Sequence, residues 1–351
     1  MTLKENIFGK NIIFFSVRTF NLENEIIKKI KEHGGVVDYF DERPSNSNFS
    51  KGIIRVKRSI LQYKIDLYYK KILTKTINKE YKYLFVNRGE VIPAFFLKEF
   101  KKSHSKCIFI FYTWDSFNNN SHSKTILDYF DKKFTFDLAD SLKYNLRHRP
   151  LFFLDSYRDI AVKNNKHIKY DLLFIGTAHS DRYLISNKIS MWCEQNNLKV
   201  FCYYYMQGRL VYLIKKMFDK SFKKFDHKKL SFKSLNTNEI LTLYSGTNVI
   251  LDINHPGQKG LTMRTLESIG AKKKLITTNP EIKKYSFYNP NNVLIIDRLN
   301  FKIDKDFFQS EYEDIDDDLY EKLSITGWLE ELFLEEYSKK WIKFEKKNSV
   351  I

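Results

Sequence analysis

Residues 258–279 read QKGLTMRTLESIGAKKKLITTN, and this stretch decides how the rest of the chain is to be read. Gly260 and Thr262 open a helix expected to run from Thr262 to Gly270, where Gly270 ends it. Lys274 to Thr278 (KLITT) then forms a strand. The start of such a helix offers free N–H groups and the positive end of a dipole, which suits a phosphate. Arg264, in the first turn, is placed for bidentate bonds to diphosphate oxygens, with Gln258 close by in the preceding loop. Glu267, one turn on and on the same face, is placed to accept from ribose hydroxyls. The competing reading is a solvated Arg/Glu pair three residues apart on an ordinary surface helix.

Moving outward, the same rhythm continues. Asn248 to Ile253 (NVILDI) reads as the preceding strand, Asn238 to Ser245 as a helix and Val293 to Ile296 as the last strand. Further upstream, Asp171 to Gly176 (DLLFIG), Asp181 to Gln195 and Lys199 to Tyr205 read as strand, helix and strand. The first of these strands ends in Gly176-Thr177, followed by His179 and Arg182. This is the first strand-to-helix turn of a doubly wound sheet, a place where such sheets bind ligands. Before the polar linker Lys163 to Lys169 the pattern has already run once. It gives strands at Asn11 to Ser16, Val36 to Phe40, Tyr83 to Asn87, Cys107 to Thr113, Lys133 to Phe136 and Leu151 to Leu154. Gly34-Gly35 stops a helix from Leu22 to His33, and a long helix is expected from about Ile53 to Asn78. Two consecutive α/β units follow, each about a Rossmann domain long. The expected domains are 1–162, 163–318 and a helical C-terminal segment, 319–351.

Composition agrees with two globular domains. The chain has 351 residues, 22 Tyr and 30 Phe, enough for two cores. The apolar run at Ile12 to Phe15 is too short for a signal-peptide core, and no stretch reaches the roughly 20 residues of a membrane span. A cytoplasmic protein is expected, soluble or resting on a membrane. Cys107, Cys193 and Cys202 are scattered without metal spacing, which fits a reducing compartment. The net charge of +18 calls for an anionic partner, against the competing reading of lysine-rich codon usage in an AT-rich genome.

Taken together and in order, the two ligand-side motifs resemble the donor-binding domain of GT-B glycosyltransferases, in particular a bacterial group of capsule and lipopolysaccharide (O-antigen) synthesis. The first half resembles the same group at Val37 to Pro44 (VDYFDERP), at Tyr112 to Asn119 (YTWDSFNN), at Phe130 to Asp140 and at Arg149 to Phe153. The resemblance implies two Rossmann-like domains facing across a cleft. It also implies a nucleotide-sugar donor, with UDP as the expected nucleotide, and a lipid-linked or oligosaccharide acceptor. No other cofactor and no metal is called for. Gly176, Thr177, His179 and Arg182, with Gln258, Gly260, Thr262, Arg264 and Glu267, would form the donor side. Many retaining members carry a glutamate eight residues before the equivalent of Glu267; here that residue is Lys259, so retention is not implied.

Acceptor-side groups are expected at the ends of the first domain's strands: Arg18, Arg88, Glu90, Trp114 and Asp115. If the reaction inverts, a carboxylate must take a proton from the acceptor hydroxyl, with Asp115 as first choice and Glu90 as second. Asp115 as a helix cap or a structural hydrogen-bonding residue after the strand, and Trp114 as a core aromatic, are the structural alternatives. The acidic run Glu311 to Asp318 mimics a D-x-D metal motif but reads as a solvated face. No nucleic-acid module is recognisable, so no nucleic-acid partner is expected. Gly208 to Lys233 holds eight Lys and Arg209 against Asp219 and Asp226, interleaved with apolar residues. That pattern suits a helix lying on the anionic inner face of the membrane, or one packed by its apolar face on its own domain. The rival functions are a non-catalytic nucleotide- or glycan-binding protein and another nucleotide-sugar enzyme such as an epimerase.

Overall fold

The computed structural model describes residues 2–163, 167–178, 181–218, 222, 225–334 and 341–343. The chain divides into two compact units, Met1–Leu151 with Ile325–Trp341, and Phe152–Ser324 with Ile342–Ile351.

The first unit is built on β1 (Asn11–Ser16), β2 (Val36–Asp41), β3 (Tyr83–Asn87), β4 (Ile108–Thr113), β5 (Lys132–Thr135) and β6 (Arg147–His148). All pairings are parallel, in the order β2-β1-β3-β4-β5-β6. Parallel strands are covered on both faces, so their sequences are apolar throughout rather than alternating. β3 (YLFVN) is buried at every position. Phe15 packs edge-on against Phe96 with ring centroids 5.3 Å apart, and burying one such side chain contributes about 2–3 kcal/mol.

The second unit is built on β7 (Tyr170–Thr177), β8 (Val200–Tyr205), β9 (Leu230–Ser231), β10 (Thr247–Asp252), β11 (Lys274–Thr277) and β12 (Val293–Ile295). It too is all parallel, in the order β12-β11-β10-β7-β8-β9. Read from β9, this is the dinucleotide-fold order, and the chain reverses direction between β7 and β10. In the first sheet the reversal falls between β1 and β3. These are two Rossmann-like domains. Their cores are separate, one around Ile13, Val86 and Phe111, the other around Leu172, Val249 and Ile276.

The C-terminal part returns to the first unit. Helix Ile325–Phe333 places Trp328 edge-on to Tyr112 at 4.9 Å and Phe333 edge-on to Tyr83 at 5.0 Å. Arg149, fully buried, pairs with Glu331 at 2.7 Å and lies 4.4 Å from the Trp341 ring. Burial alone would drive the guanidinium toward neutrality; the Glu331 carboxylate holds it charged.

Several expectations are corrected. The long helix is two, Asn48–Lys57 and Gln62–Thr76, joined by a 3₁₀ turn at Arg58–Leu61. There Arg58 turns inward, donating to the Val91 carbonyl at 3.0 Å. Leu151 to Leu154 is not a sheet strand. Pro150 has no N–H to give a ladder, and only Phe153 makes an isolated bridge, to Ser324. The chain changes unit at 151/152 rather than at 162/163, because helix Asp155–Lys163 packs on helices of the second unit, with Tyr157 edge-on to Tyr244 at 5.1 Å. The tail is two helices, Asp317–Leu323 and Ile325–Phe333, separated by Ser324; of the residues from 335 to 347 only 341–343 are described. Gly270 does not stop its helix as a left-handed cap; it is the last helical residue, with Ala271 as the cap, and it is glycine for a reason of space. A Cβ there would lie 2.5 Å from the Phe153 ring.

Candidate functional site

In the second unit the reversal point between β7 and β10 is bridged by one side chain. Arg182, opening helix Arg182–Gln195, donates from Nε to the Ile253 carbonyl at 2.8 Å and from Nη1 to Thr177 Oγ1 at 3.1 Å. It therefore ties the carboxyl end of β7 to the residue following β10. Burial and the neighbouring Arg264 push its pKa down to about 10, with Arg298 adding to the same effect. Asp252 and Asp181 oppose that shift, and Arg264, against its burial, is itself raised by Tyr244, Glu267 and Asp252, so carboxylates share this neighbourhood with the three guanidinium groups.

Arg298, just beyond β12, holds both Asp181 oxygens from Nη1, at 3.0 and 2.7 Å, and reaches the Asn254 carbonyl and side-chain oxygen from Nη2, each at 2.7 Å. Arg264 sits in the first turn of helix Met263–Gly270, and its Nε is buried without a hydrogen-bond partner. Thr262 caps that helix, accepting from Thr265 N at 3.3 Å and donating to Asp252 Oδ2 at 2.7 Å. The other oxygen of Asp252 is buried and unpartnered. A buried donor without an acceptor and a buried acceptor without a donor are costly for structure alone and mark a place where a polar ligand fits.

Glu267 is not one half of a solvated pair. It is half-buried and accepts from the Tyr244 hydroxyl at 3.1 Å. Burial raises its pKa, opposed by Arg264 and by the hydroxyls of Tyr244 and Tyr157. The loop from Asn254 to Leu261 is laced in place. Asn254 donates to the Gln258 carbonyl at 2.8 Å, Gln258 Nε2 to the Gly260 carbonyl at 3.1 Å, and Asn279 Nδ2 to the Lys259 carbonyl at 3.1 Å. Lys259 itself is exposed. Gly176 lies within β7 rather than in a loop, where the ring of Phe174 would stand 2.8 Å from an added Cβ. His179 lies outside the described residues.

In the first unit the corresponding reversal point, between β1 and β3, carries carboxylates. Beyond β3, Arg88 and Gly89 both take positive φ (107° and 67°). Gly89 admits no side chain, since a Cβ would lie 2.8 Å from Phe111. Glu42, fully buried beyond β2, holds this turn from below, accepting from Gly89 N at 2.9 Å and from Glu90 N at 2.5 Å. Burial pushes the Glu42 carboxyl up to about 8; the Gly89 amide opposes the shift and the Glu90 charge adds to it.

Glu90 is buried between Arg43, which donates to it from Nε, and Arg88 Nη2 at 3.3 Å. Arg88 Nη2 also reaches Asp115 Oδ2 at 3.0 Å, and Asp115 Oδ1 accepts from Asn119 at 3.0 Å. Asp115 caps no helix, but it does make the structural hydrogen bonds after the strand that its alternative reading expected. Its side chain is 22 % exposed against 7 % for Glu90, so of the two carboxylates it is the one open to an incoming group. Trp114 is half-buried beside it, not in the core. Arg18 stands apart from the Arg88 group; its side chain is 67 % exposed and its nearest acid is Asp41, at 3.5 Å.

The sequence reading missed Glu42, Arg43, Asp181, Asp252 and Arg298. Each follows or ends a parallel strand, or starts the next helix, and that positional rule is the signal that would have found them. The acidic run serves structure: Asp314 pairs with Lys272, Asp316 caps helix Asp317–Leu323, and Asp318 pairs with Lys322. Among the described residues no cluster of His, Cys, Asp or Glu is arranged to hold a metal, and no helix is long and apolar enough to cross a membrane. The three cysteines are free thiols.

No protein-family model matches the sequence, and no curated protein matches it. Solved structures do. A glycosyltransferase from Rickettsia africae superposes with a TM-score of 0.53 at 13 % identity, covering 93 % of this chain and 94 % of that one. An alpha-glucosyltransferase in complex with UDP and a 13-mer DNA gives 0.50 at 12 % identity, covering 93 % and 91 %. At these identities the likeness shows the fold, which is that of the GT-B glycosyltransferases.

Proposed function

We propose that this chain is a glycosyltransferase that moves a sugar from a nucleotide-sugar donor, with UDP as the expected nucleotide, onto a glycan acceptor in capsule or lipopolysaccharide synthesis. The acceptor on this reading is a lipid-linked or free oligosaccharide at the inner face of the cytoplasmic membrane. The observation that carries the proposal is Arg182 crossing the β7/β10 reversal point, with Arg264 and Arg298 beside it at the Thr262-capped helix. A diphosphate is the ligand that would use all three cations and the helix end together.

In an inverting transfer, Asp115 takes the proton of the acceptor hydroxyl as that oxygen bonds to the anomeric carbon. The bond from that carbon to the diphosphate breaks, and the arginines stabilise the charge left on the departing nucleotide. Arg88 orients Asp115, while Glu90 pairs with Arg88 and Glu42 holds the turn that follows it. The test is a thermal-shift panel of UDP-, GDP-, CMP- and dTDP-sugars, followed by release of nucleotide in the presence of oligosaccharide acceptors. A stabilising UDP-sugar and acceptor-dependent release of UDP are expected. No shift with any nucleotide sugar would overturn the proposal. Binding without turnover would point to a non-catalytic nucleotide-binding protein on this fold.

A further inference from the structure

Helix Arg209–Phe218 (RLVYLIKKMF) is mounted inside out. Leu210, Leu213, Ile214, Met217 and Phe218 recur at three- and four-residue intervals and form one apolar stripe. A surface helix ordinarily buries such a stripe. Here these side chains are 73 %, 57 %, 51 %, 71 % and 79 % exposed, and Tyr212 is the helix's one buried residue. The helix is attached by its other side through the buried Tyr212, whose ring lies 6.4 Å from His227 and 6.5 Å from Phe232. At its flanks Lys215 lies over Phe222 at 5.1 Å and Arg209 over Phe232 at 5.9 Å, while Lys216 lies over Tyr212 of the same helix. Phe222 and Phe225, later in the segment, are in the core of the unit. Packing on its own unit is thus seen for Phe222 and Phe225 and not for the stripe of the helix; residues 219–221 and 223–224 of the segment lie outside the described residues.

On the helical wheel Arg209 and Lys216 border the stripe on one side and Lys215 on the other, and the helix has no acidic residue. An apolar strip rimmed by cations is the chemistry of a helix lying in the headgroup region of an anionic bilayer. The same charges argue against a second copy of this chain as the occupant. Two such faces would bring like charges together in a protein already at +18. Exposed contiguous apolar surface of this kind marks an interaction site rather than ordinary surface.

We infer that helix Arg209–Phe218 is a membrane-docking element, with Leu210, Leu213, Ile214, Met217 and Phe218 entering an anionic lipid surface and Arg209, Lys215 and Lys216 contacting its headgroups. The helix follows β8 by a few residues, so docking would hold the carboxyl edge of the second sheet at the membrane. The inference rests on the proposed function for its purpose, since a lipid-linked acceptor lies in that plane, but its test uses no nucleotide.

The full-length protein is co-sedimented with vesicles of phosphatidylcholine alone and of phosphatidylcholine mixed with phosphatidylglycerol. Binding is expected only to the anionic vesicles and should weaken as salt rises. L213S/I214S should weaken it about tenfold or more by removing buried apolar area, and K215Q/K216Q by a similar factor through lost charge. UDP affinity, measured by calorimetry on the same variants, should stay within about twofold of the parent, because these side chains lie outside the arginine site. Unchanged sedimentation of both variants would overturn the inference, as would equal binding to both kinds of vesicle. A dimer abolished by L213S/I214S in protein that ignores vesicles would overturn it in favour of a second copy. Loss of UDP binding by the parent protein would count against the proposed function alone.

Discussion

The carboxyl edges of the two sheets are built to the same plan and charged differently. At the second, Arg298 is paired with Asp181, but among the described residues Arg182 bonds a carbonyl and a hydroxyl rather than a carboxylate, and Arg264 keeps a buried Nε without a partner. At the first, Arg18, Arg43 and Arg88 each meet a carboxylate, and Asp41, Glu42, Glu90 and Asp115 gather around them. One edge gathers three arginines, the proposed anion site, and the other gathers carboxylates, of which Asp115, the proposed base, is more open than Glu90. The fold repeats; the division of labour comes from a few residues beyond each strand, which is where doubly wound sheets keep their chemistry.

The sharpest way to break that comparison is Asp115→Asn. Transfer should fall about 10²–10⁴-fold, the range for loss of a general base, while UDP affinity stays unchanged because the substitution lies in the first unit. Full turnover in a folded variant would leave Asp115 a structural partner of Arg88 and remove the proton-moving role from this edge.

The units should also separate in stability. Glu331→Ala leaves Arg149 buried without its counter-charge, and breaking such a pair costs about 3–5 kcal/mol. The loss should fall on the first unit, with amide exchange in β3 and β4 accelerating while β7 and β10 remain protected. Equal acceleration in both sheets would show that the returning helix supports the whole chain.

A smaller effect is expected from pH. His122 lies in a half-buried site, its Nε2 donating to the Ile92 carbonyl at 2.8 Å and its Nδ1 accepting from Arg58 Nη1 at 3.3 Å. Burial, with Arg58 adding, lowers its pKa to about 4; burial lowers that of His148 to about 4 as well. The unfolded chain takes up these protons near pH 6.5 and the folded chain does not. The stability they contribute is therefore present above about 6.5 and is lost as pH falls toward 4. The melting temperature of the first unit should drop by a few degrees over that interval, and His122→Asn should flatten part of the slope. An unchanged slope would mean that His122 is accessible to protons in the folded state.

How far the sequence reveals this molecule depends on the range of the interaction concerned. Strands such as NIIFFS and YLFVN are legible because burial on both faces leaves a local apolar signature. Thr262, Arg264 and Glu267 are legible because one helix turn brings them together. Glu42 holds a turn 47 residues downstream and Arg298 grips Asn254 across 44 residues, so neither pairing leaves a local trace. The interruption at Arg58 has the same origin, since the groups that draw it inward, Val91 and His122, belong to distant segments. The outward stripe of helix Arg209–Phe218 was visible as periodicity, but periodicity does not say which side meets the protein.

The central claim is that the second unit's edge binds a nucleotide diphosphate through its arginines. It is tested most directly by calorimetric titration of UDP into the parent protein and into Arg182→Gln, with Asp115→Asn as the control from the other edge. Removing one charge-assisted contact should weaken UDP about 10- to 100-fold in Arg182→Gln and leave Asp115→Asn at the parent value. Parent-like UDP affinity in a folded Arg182→Gln protein, or a loss confined to Asp115→Asn, would contradict the assignment of the anion site to the second unit.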